Sequence, residues 1–471
     1  MDISATREDA YRLLHEGSLA LADVERNGIA IDVGYGKNQL KKIQGKKAKV
    51  ESKLNDDREI KKWKKFYGKK FNLDSNPQLA QVLYKVLKYK PTSFTKTEQP
   101  SVDKEALSKL DSPMIKKLLR YRRYIHLENK ITEVLRETVD GLLHPSFNLH
   151  LAKTYRSSSD HINFQNQDVR DKISAEIIRR LFIARKDGRK RGIKETDYKG
   201  IEVCISCCNH HDPNLIKYII DKTTDMHRDQ ALECYMLPAS EAQYKDSFKD
   251  IRYCGKNKFV FPEFYGDYYV RCAKALWESI TIMKLHTHTG LSLLDHLKSK
   301  GIVRLPSMKK NDGSSFESHI QKVEDRFWNV KFKDYQAWKE KHWKEYCKRG
   351  YFDTLTGFRC SGVMKRNEAI NYPVQGPAFH CLLWSLIQVN KQLKKKKMKS
   401  LIVGQIHDSM VDDYVEEELD ELCGIEEQVM TKDILNHWEW INVPLEIEQE
   451  VSKPGMSWFE KEEYTSESED E

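Results

Sequence analysis

Asp197-Tyr198-Lys199-Gly200-Ile201-Glu202 and, about two hundred residues further on, His407-Asp408-Ser409 decide the reading of this chain. Each acidic signature adjoins a run that reads as a buried strand. These are Ile201-Glu202-Val203-Cys204-Ile205-Ser206 and Leu401-Ile402-Val403-Gly404-Gln405-Ile406. A carboxylate at the end of a buried strand costs free energy unless a positive group pairs with it. Two such strands side by side would bring Asp197 and Asp408 to the same cations. Paired carboxylates holding two hard metal ions are how proteins run in-line displacement at phosphorus. The expected chemistry is nucleotidyl transfer.

The bulk composition fits a large nucleic-acid-handling chain. Its 471 residues are enough for roughly three domains or one multi-lobed unit. Lys and Arg (80) exceed Asp and Glu (71), for a net charge of +9, which favours a polyanionic partner. No window resembles a membrane span, and Met1–Arg7 is not a secretory signal, so a cytoplasmic location without membrane attachment is expected. The ten Cys form no disulfide-like framework. Cys204, Cys207, Cys208, His210 and His211 read as buried strand cysteines followed by a polar turn, not as a zinc site.

Along the chain, residues 8–32 run through a helical pattern into a short strand or turn, and 36–70 are helical and basic. Ser75 and Gln78 have capping-box spacing and predict a helix to about Tyr89. A further helix is expected over Met114–Val139. From Gly141 the texture changes to short strands, 213–350 is helical and rich in aromatics, and strand patterns return at Gly350–Arg359 and Leu401–Tyr414. Two strand-bearing regions around a helical insert imply a discontinuous sheet domain with a helical lobe looped out. Lys394–Lys397 should end a surface helix, and the acidic residues 460–471 are expected to be disordered.

Arg252 and Lys256 lie one helical turn apart, as do Phe261 and Tyr265, giving cations and aromatics suited to a triphosphate and a base. With the two acidic signatures, this segment resembles family A DNA polymerases. The resemblance continues in order along the chain. Leu21–Glu25 through Asp32 resembles the entry to the polymerase region, and Phe71–Ser75 with Tyr121-Arg122-Arg123-Tyr124 resembles the thumb. Arg156–Ser159 followed by Asn163-Phe164-Gln165-Asn166 resembles the primer-template segment. Asn371-Tyr372-Pro373-Val374-Gln375-Gly376 resembles the helix that reads the duplex minor groove.

The resemblance implies an α+β fold with the right-hand polymerase architecture: an antiparallel palm sheet with helical fingers and thumb. The expected division is palm entry 1–32, thumb 33–135, palm 136–212, fingers 213–350, palm again 351–459 and the acidic tail 460–471. Asp197, Asp408 and the carbonyl of Tyr198 would bind two Mg²⁺, with Mn²⁺ an acceptable substitute. Lys256 would neutralise the phosphates as a catalytic residue, with Arg252 and His227 on the outer phosphates. Phe261 would lie against the incoming nucleotide and Tyr265 beside the templating position. Arg156, Asn163, Gln165, Asn166, Asn371 and Gln375 would contact DNA, where minor-groove acceptors report pairing geometry rather than sequence. His407 would meet the primer terminus. Glu202 would block a ribose 2′-hydroxyl and so select dNTPs.

The implied partners are primer-template DNA and dNTPs, with the chain acting as a monomer and room for a separate exonuclease, helicase-primase or processivity factor. The polymerase-like region starts within about twenty residues of Met1, so no exonuclease domain is expected and a phage or viral source is suggested. An RNA polymerase or primase on the same scaffold is disfavoured by Glu202 and the short chain. An inactive DNA-binding scaffold is disfavoured by the intact Asp197, Asp408 and Lys256, and an HD phosphohydrolase by the strand-end position of His407-Asp408.

Three departures stand out. Lys256 to Phe261 is a step of five where the family steps by four, which on a regular helix rotates the cations about 100° away from the aromatics. A one-residue π-type bulge before Pro262 would restore a common face. Ser409 stands where many members carry an acid, and Asn367 beside Arg366 where an arginine is expected.

Overall fold

The apolar run after Asp197 is a helix, not a strand. In the computed structural model, which describes residues 5–95, 97–167 and 171–465, the strand instead precedes Asp197 and spans Arg191–Tyr198. Gly200 then adopts a left-handed conformation (φ 63°) and the chain turns into the helix Ile201–His210. Ile201, Cys204, Ile205 and Cys208 are buried at helical spacing, a pattern that a short apolar run shares with a buried strand. Cys204, Cys207 and Cys208 are therefore buried helix cysteines, correcting the strand reading of that cluster.

Arg191–Tyr198 is central to a five-stranded antiparallel sheet. The order is Lys461–Glu463, Ile447–Ser452, Arg191–Tyr198, Ser409–Val415, Leu401–Ile406. Sequence-distant pairing sets the register: Asp197 faces Ser409 on one side and Glu448 on the other. The tail expectation therefore fails at its start, because Lys461–Glu463 forms the edge strand and Trp458 is fully buried before it. Residues 466–471 of that tail lie outside the described residues.

The strand escaped notice because it carries charge inward. Lys194 is fully buried and meets Glu426 and Asp412, while Arg191 and Arg185 pair with Asp413 at 3.0 Å each. Successive residues of a strand face opposite sides, so Asp412 and Asp413 serve two separate ion clusters. One lysine faces two acids in the first cluster, and burial with Glu426 pushes the Asp412 carboxyl well up.

The described residues form three hydrophobic clusters, two of which organise the main elements. The larger unites the sheet, the helix Ile201–His210, the long helix Arg366–Lys396 and the helical region after Pro213. A smaller one, including Leu54, Trp63, Leu83, Ile115 and Leu118, holds together the helices between Val33 and Glu137. Here the helix at Ser75 is shorter than expected. Ser75 caps Asn76–Gln81, but the Gln78 side chain donates to the Lys70 carbonyl instead of completing a capping box. A π turn over Val82–Val86 then ends the helix before Tyr89. The Lys394–Lys396 run does end a helix, capped by left-handed Lys397. Among the described residues no helix is long and apolar enough to cross a membrane.

Breaking the Lys194 cluster leaves buried acid without its cation. Lys194→Met should cost about 3–5 kcal/mol of unfolding free energy in urea titration. A loss under about 1 kcal/mol would show that the cluster contributes no net pairing.

Candidate active site

Asp197 ends its strand, and Asp408 sits in the turn between Leu401–Ile406 and Ser409–Val415. The backbone ties them: Tyr198 N–H donates to the Asp408 carbonyl at 3.4 Å. The Tyr198 side chain runs into the core, where its hydroxyl meets Ser385 Oγ at 2.9 Å and donates to the Met430 carbonyl at 3.1 Å. Asp197 Oδ1 is buried and accepts no hydrogen bond. Burial raises both carboxyls above their ordinary range; for Asp197 the charges of Asp408, Glu195 and Glu448 add to it. A buried acid pair with a free oxygen fits a bound divalent cation, which would offset that charge. Among the described residues no three His, Cys, Asp or Glu side chains converge on a metal-sized centre.

The neighbouring helix supplies Glu202, whose carboxylate is held from two sides. Arg156 Nη1 donates to it at 3.3 Å, and the Tyr265 hydroxyl donates to its other oxygen. Asn371 in turn donates to the Tyr265 carbonyl at 3.1 Å, and Asn367 to that of Gly266 at 3.0 Å. Asn367 thus caps this segment, while Arg366 pairs with Glu340. A cavity of about 370 Å³ lies among these groups, lined by Arg156, Glu202, Phe261, Tyr265, Asn371, Gln375, His407 and Asp408.

The cation-and-aromatic helix contains the π turn that its spacing predicts. Lys245–Gly255 is α-helical, Lys256–Val260 forms the π turn, and α-helix resumes at Phe261 with Pro262 in its first turn, where no backbone donor is needed. Lys256 and Phe261 consequently share a face, with Nζ 5.2 Å from the ring centroid. Phe261 and Tyr265 lie 6.2 Å apart. His227, at the start of the helix Met226–Cys234, meets the edge of Phe261 at 5.6 Å. Burial, with Lys256 and Arg252 nearby, pushes His227 down to about 4, so it is neutral at pH 7. Arg252 donates to Asp225 at 2.6 Å, and a second cavity of about 490 Å³ holds Arg252, His227, Lys199 and Lys222. Both cavities border Gly200 and Val203.

Other candidates sit further from this centre. Gln165 donates to Ser157 Oγ and Gln405 Oε1, both at 2.7 Å, and Gln405 donates to the His407 carbonyl at 2.8 Å. His407 itself is left-handed (φ 51°), and desolvation and Arg156 shift its imidazole below the usual histidine range. Asn163 and Asn166 line neither cavity; their carbonyls accept from Gln167 and Lys130. Sequence reasoning missed Gln405, whose signal was a polar residue inside an apolar strand. It also missed Glu195, two residues from Asp197 and so on its face of the strand.

These elements match a known family over most of the chain. Residues 40–276 and 317–460 fit the model of DNA polymerase family A. The chain belongs to DNA polymerase family A. It is 24% identical over 458 residues to DNA polymerase I of Pseudomonas aeruginosa, covering 93% of this chain and 43% of the relative. It is 27% identical over 402 residues to the DNA polymerase of Bacillus phage SP01 (79% and 38%). It is 25% identical over 457 residues to the thermostable DNA polymerase I of Thermus aquaticus (93% and 47%). The chain thus spans less than half the length of these relatives. Its fold is shared with the POL domain of Pol1 from M. smegmatis, solved as a complex with DNA primer-template and dNTP. The TM-score is 0.72 at 23% identity, over 95% of this chain and 70% of that one. The α+β polymerase fold inferred from the motifs is therefore present.

Two measurements probe this site. A carboxyl raised on folding keeps in the folded state a proton that the unfolded state has released. Stability therefore falls as pH rises from the ordinary value of 3.8 toward neutrality. Metal-free Asp197→Asn should melt roughly 2 °C or more above the native chain at pH 8 and level with it at pH 4. An equal difference at both values would rule the effect out. A Cβ on Gly255 would lie 2.7 Å from Ala231 Cβ and from the His227 carbonyl. Gly255→Ala should thus separate the two helices at a cost of about 1–3 kcal/mol in chemical denaturation.

Proposed function

We propose that this chain is a template-directed DNA polymerase that adds deoxynucleotides to a primer 3′-hydroxyl. One observation carries the reading. A single cavity brings together Asp408 and His407 from the sheet, Glu202 from the adjoining helix, Phe261 and Tyr265 from the insert, and Asn371 and Gln375 from the long helix. The named complex of the M. smegmatis domain with primer-template and dNTP supports the same ligands here.

Asp197, Asp408 and the Tyr198 carbonyl would hold two Mg²⁺. Bound there, the ions would supply a lowered pKa for the primer hydroxyl and countercharge for the departing pyrophosphate. Lys256 and Arg252 present charge to the triphosphate, and neutral His227 offers it a hydrogen bond. Phe261 and Tyr265 shape the space for sugar and base. Arg156, Gln165, Asn371 and Gln375 face the primer-template, and His407 its terminus. Glu202 closes the space a ribose 2′-hydroxyl would need. The separate hydrophobic cluster between Leu54 and Tyr121 supports residues 33–135 as the thumb. The sheet supports a palm from 136–212 and 351–459, with 213–350 as fingers. Similarity to a phage polymerase supports a role in phage or viral replication.

Primer extension with Mg²⁺ and dNTPs, beside Asp408→Ala, tests the reading. Extension should be template-dependent and fall at least roughly 10²-fold in the variant. Glu202→Ala should raise rNTP use while dNTP use persists. Native preference for rNTPs would move the assignment to RNA synthesis, and tight DNA binding without extension would make the chain a scaffold.

A further inference from the structure

Glu195 lies two residues before Asp197 and shares its face of the central strand. Its side chain is buried at 14% exposure, against 7% for Lys461, and three side chains converge on it. Trp458 Nε1 donates to Oε2 at 2.8 Å, Lys461 forms a contact ion pair with the same oxygen, and Ser409 Oγ lies 3.1 Å from Oε1. The Ser409 hydroxyl has one proton, shared between Glu195 and the Ile406 carbonyl at 3.0 Å. Ser409 directly follows Asp408 and pairs across the sheet with Asp197.

Two of the three donors, Trp458 and Lys461, come from the last described segment of the chain. Trp458 stacks on Phe164, centroids 5.6 Å apart, between Asn163 and Gln165, and the Arg179 guanidinium lies 4.3 Å from its ring. Lys461 begins the edge strand and also meets Glu450 at 2.7 Å. An apolar contact would anchor a chain end as well as a buried ion pair does, since desolvation cancels most of the Coulomb gain. Three donors on one carboxylate beside the catalytic acids instead fix a charge and a direction.

We propose that Glu195, held by Trp458 and Lys461, is a positioning residue for the carboxylate pair. Through Ser409 it fixes the turn that carries Asp408, and beside Asp197 it sets, together with Lys461, the charge offered to divalent cations. The catalytic part rests on the polymerase reading; the cation part does not.

The test uses the full chain and Mn²⁺ as probe, with free Mn²⁺ followed by electron paramagnetic resonance, next to thermal melts and primer extension. Glu195→Gln removes one negative charge beside the pair, leaving Lys461 with Glu450 alone, and should weaken Mn²⁺ binding at least roughly fivefold; Lys461→Met leaves Glu195 without its cation and should tighten it by a similar factor. The double variant should return to within about twofold of the native affinity, the cancellation expected of one charge pair. Ser409→Ala should lower kcat about tenfold with KM for dNTP nearly unchanged, and Ser409→Thr should rescue it. A merely structural anchor would lower melting temperatures while leaving Mn²⁺ affinity and kcat of the folded protein as they were, and that result overturns the proposal. If Glu195→Gln or Lys461→Met does not fold, the Ser409 pair still decides, because unchanged kcat refutes the positioning. If the native chain extends no primer, the polymerase reading fails while the Mn²⁺ series still judges Glu195.

Discussion

Everything in this structure is arranged around the cost of collecting carboxylates inside a sheet. The central strand, its neighbour Ser409–Val415 and the turn before that neighbour carry Glu195, Asp197, Asp408, Asp412 and Asp413, the last two fully buried and the others partly so. In a medium of low dielectric such a set repels itself strongly. Their cover is unequal: Asp413 has both Arg185 and Arg191, Glu195 has Lys461, and Asp412 and Glu426 share the single Lys194. Asp197 keeps a buried oxygen with no donor. Asp412 likewise keeps both oxygens without a hydrogen bond, its carboxyl pushed well up by burial and Glu426, so uncompensated acid persists in the core as well as at Asp197.

How legible this was depended on whether a position is governed by local pattern or by remote partners. The strand Leu401–Ile406 was readable because its residues are apolar and end in an acid. Arg191–Tyr198 was not, because the cations and acids that let it be buried come from residues more than two hundred positions away. The same remoteness hid the edge strand Lys461–Glu463, whose acidic composition resembles a solvated tail until Lys461 is seen against Glu195. The run after Gly200 misled for the opposite reason. Its apolar residues satisfy both periods, and only the left-handed glycine ahead of it settles the choice.

The π turn at Lys256–Val260 shows where sequence spacing is decisive. A step of five between a cation and an aromatic that must share a face leaves a regular helix out of register, and Pro262 already demands a break in the donor pattern. One extra residue per turn corrects both. The glycine before it is equally constrained, since His227 and Ala231 stand where its side chain would be. Motif residues here are fixed by helix-to-helix distance as much as by chemistry.

Glu202 joins the two halves of the cavity. Arg156 reaches it from just before the strand Ser158–Asp160 and Tyr265 from the insert, while Asn371 holds the Tyr265 backbone from the long helix. A side chain with one oxygen on each of two lobes cannot move without loosening one of them. Any ligand that reaches Glu202 in the cavity must therefore compete with the Tyr265 hydroxyl for the same carboxylate, or leave that bond in place and use the space beside it. In either case the position of the insert and the shape of the cavity beside Glu202 are set by one group, so the two are coupled by geometry.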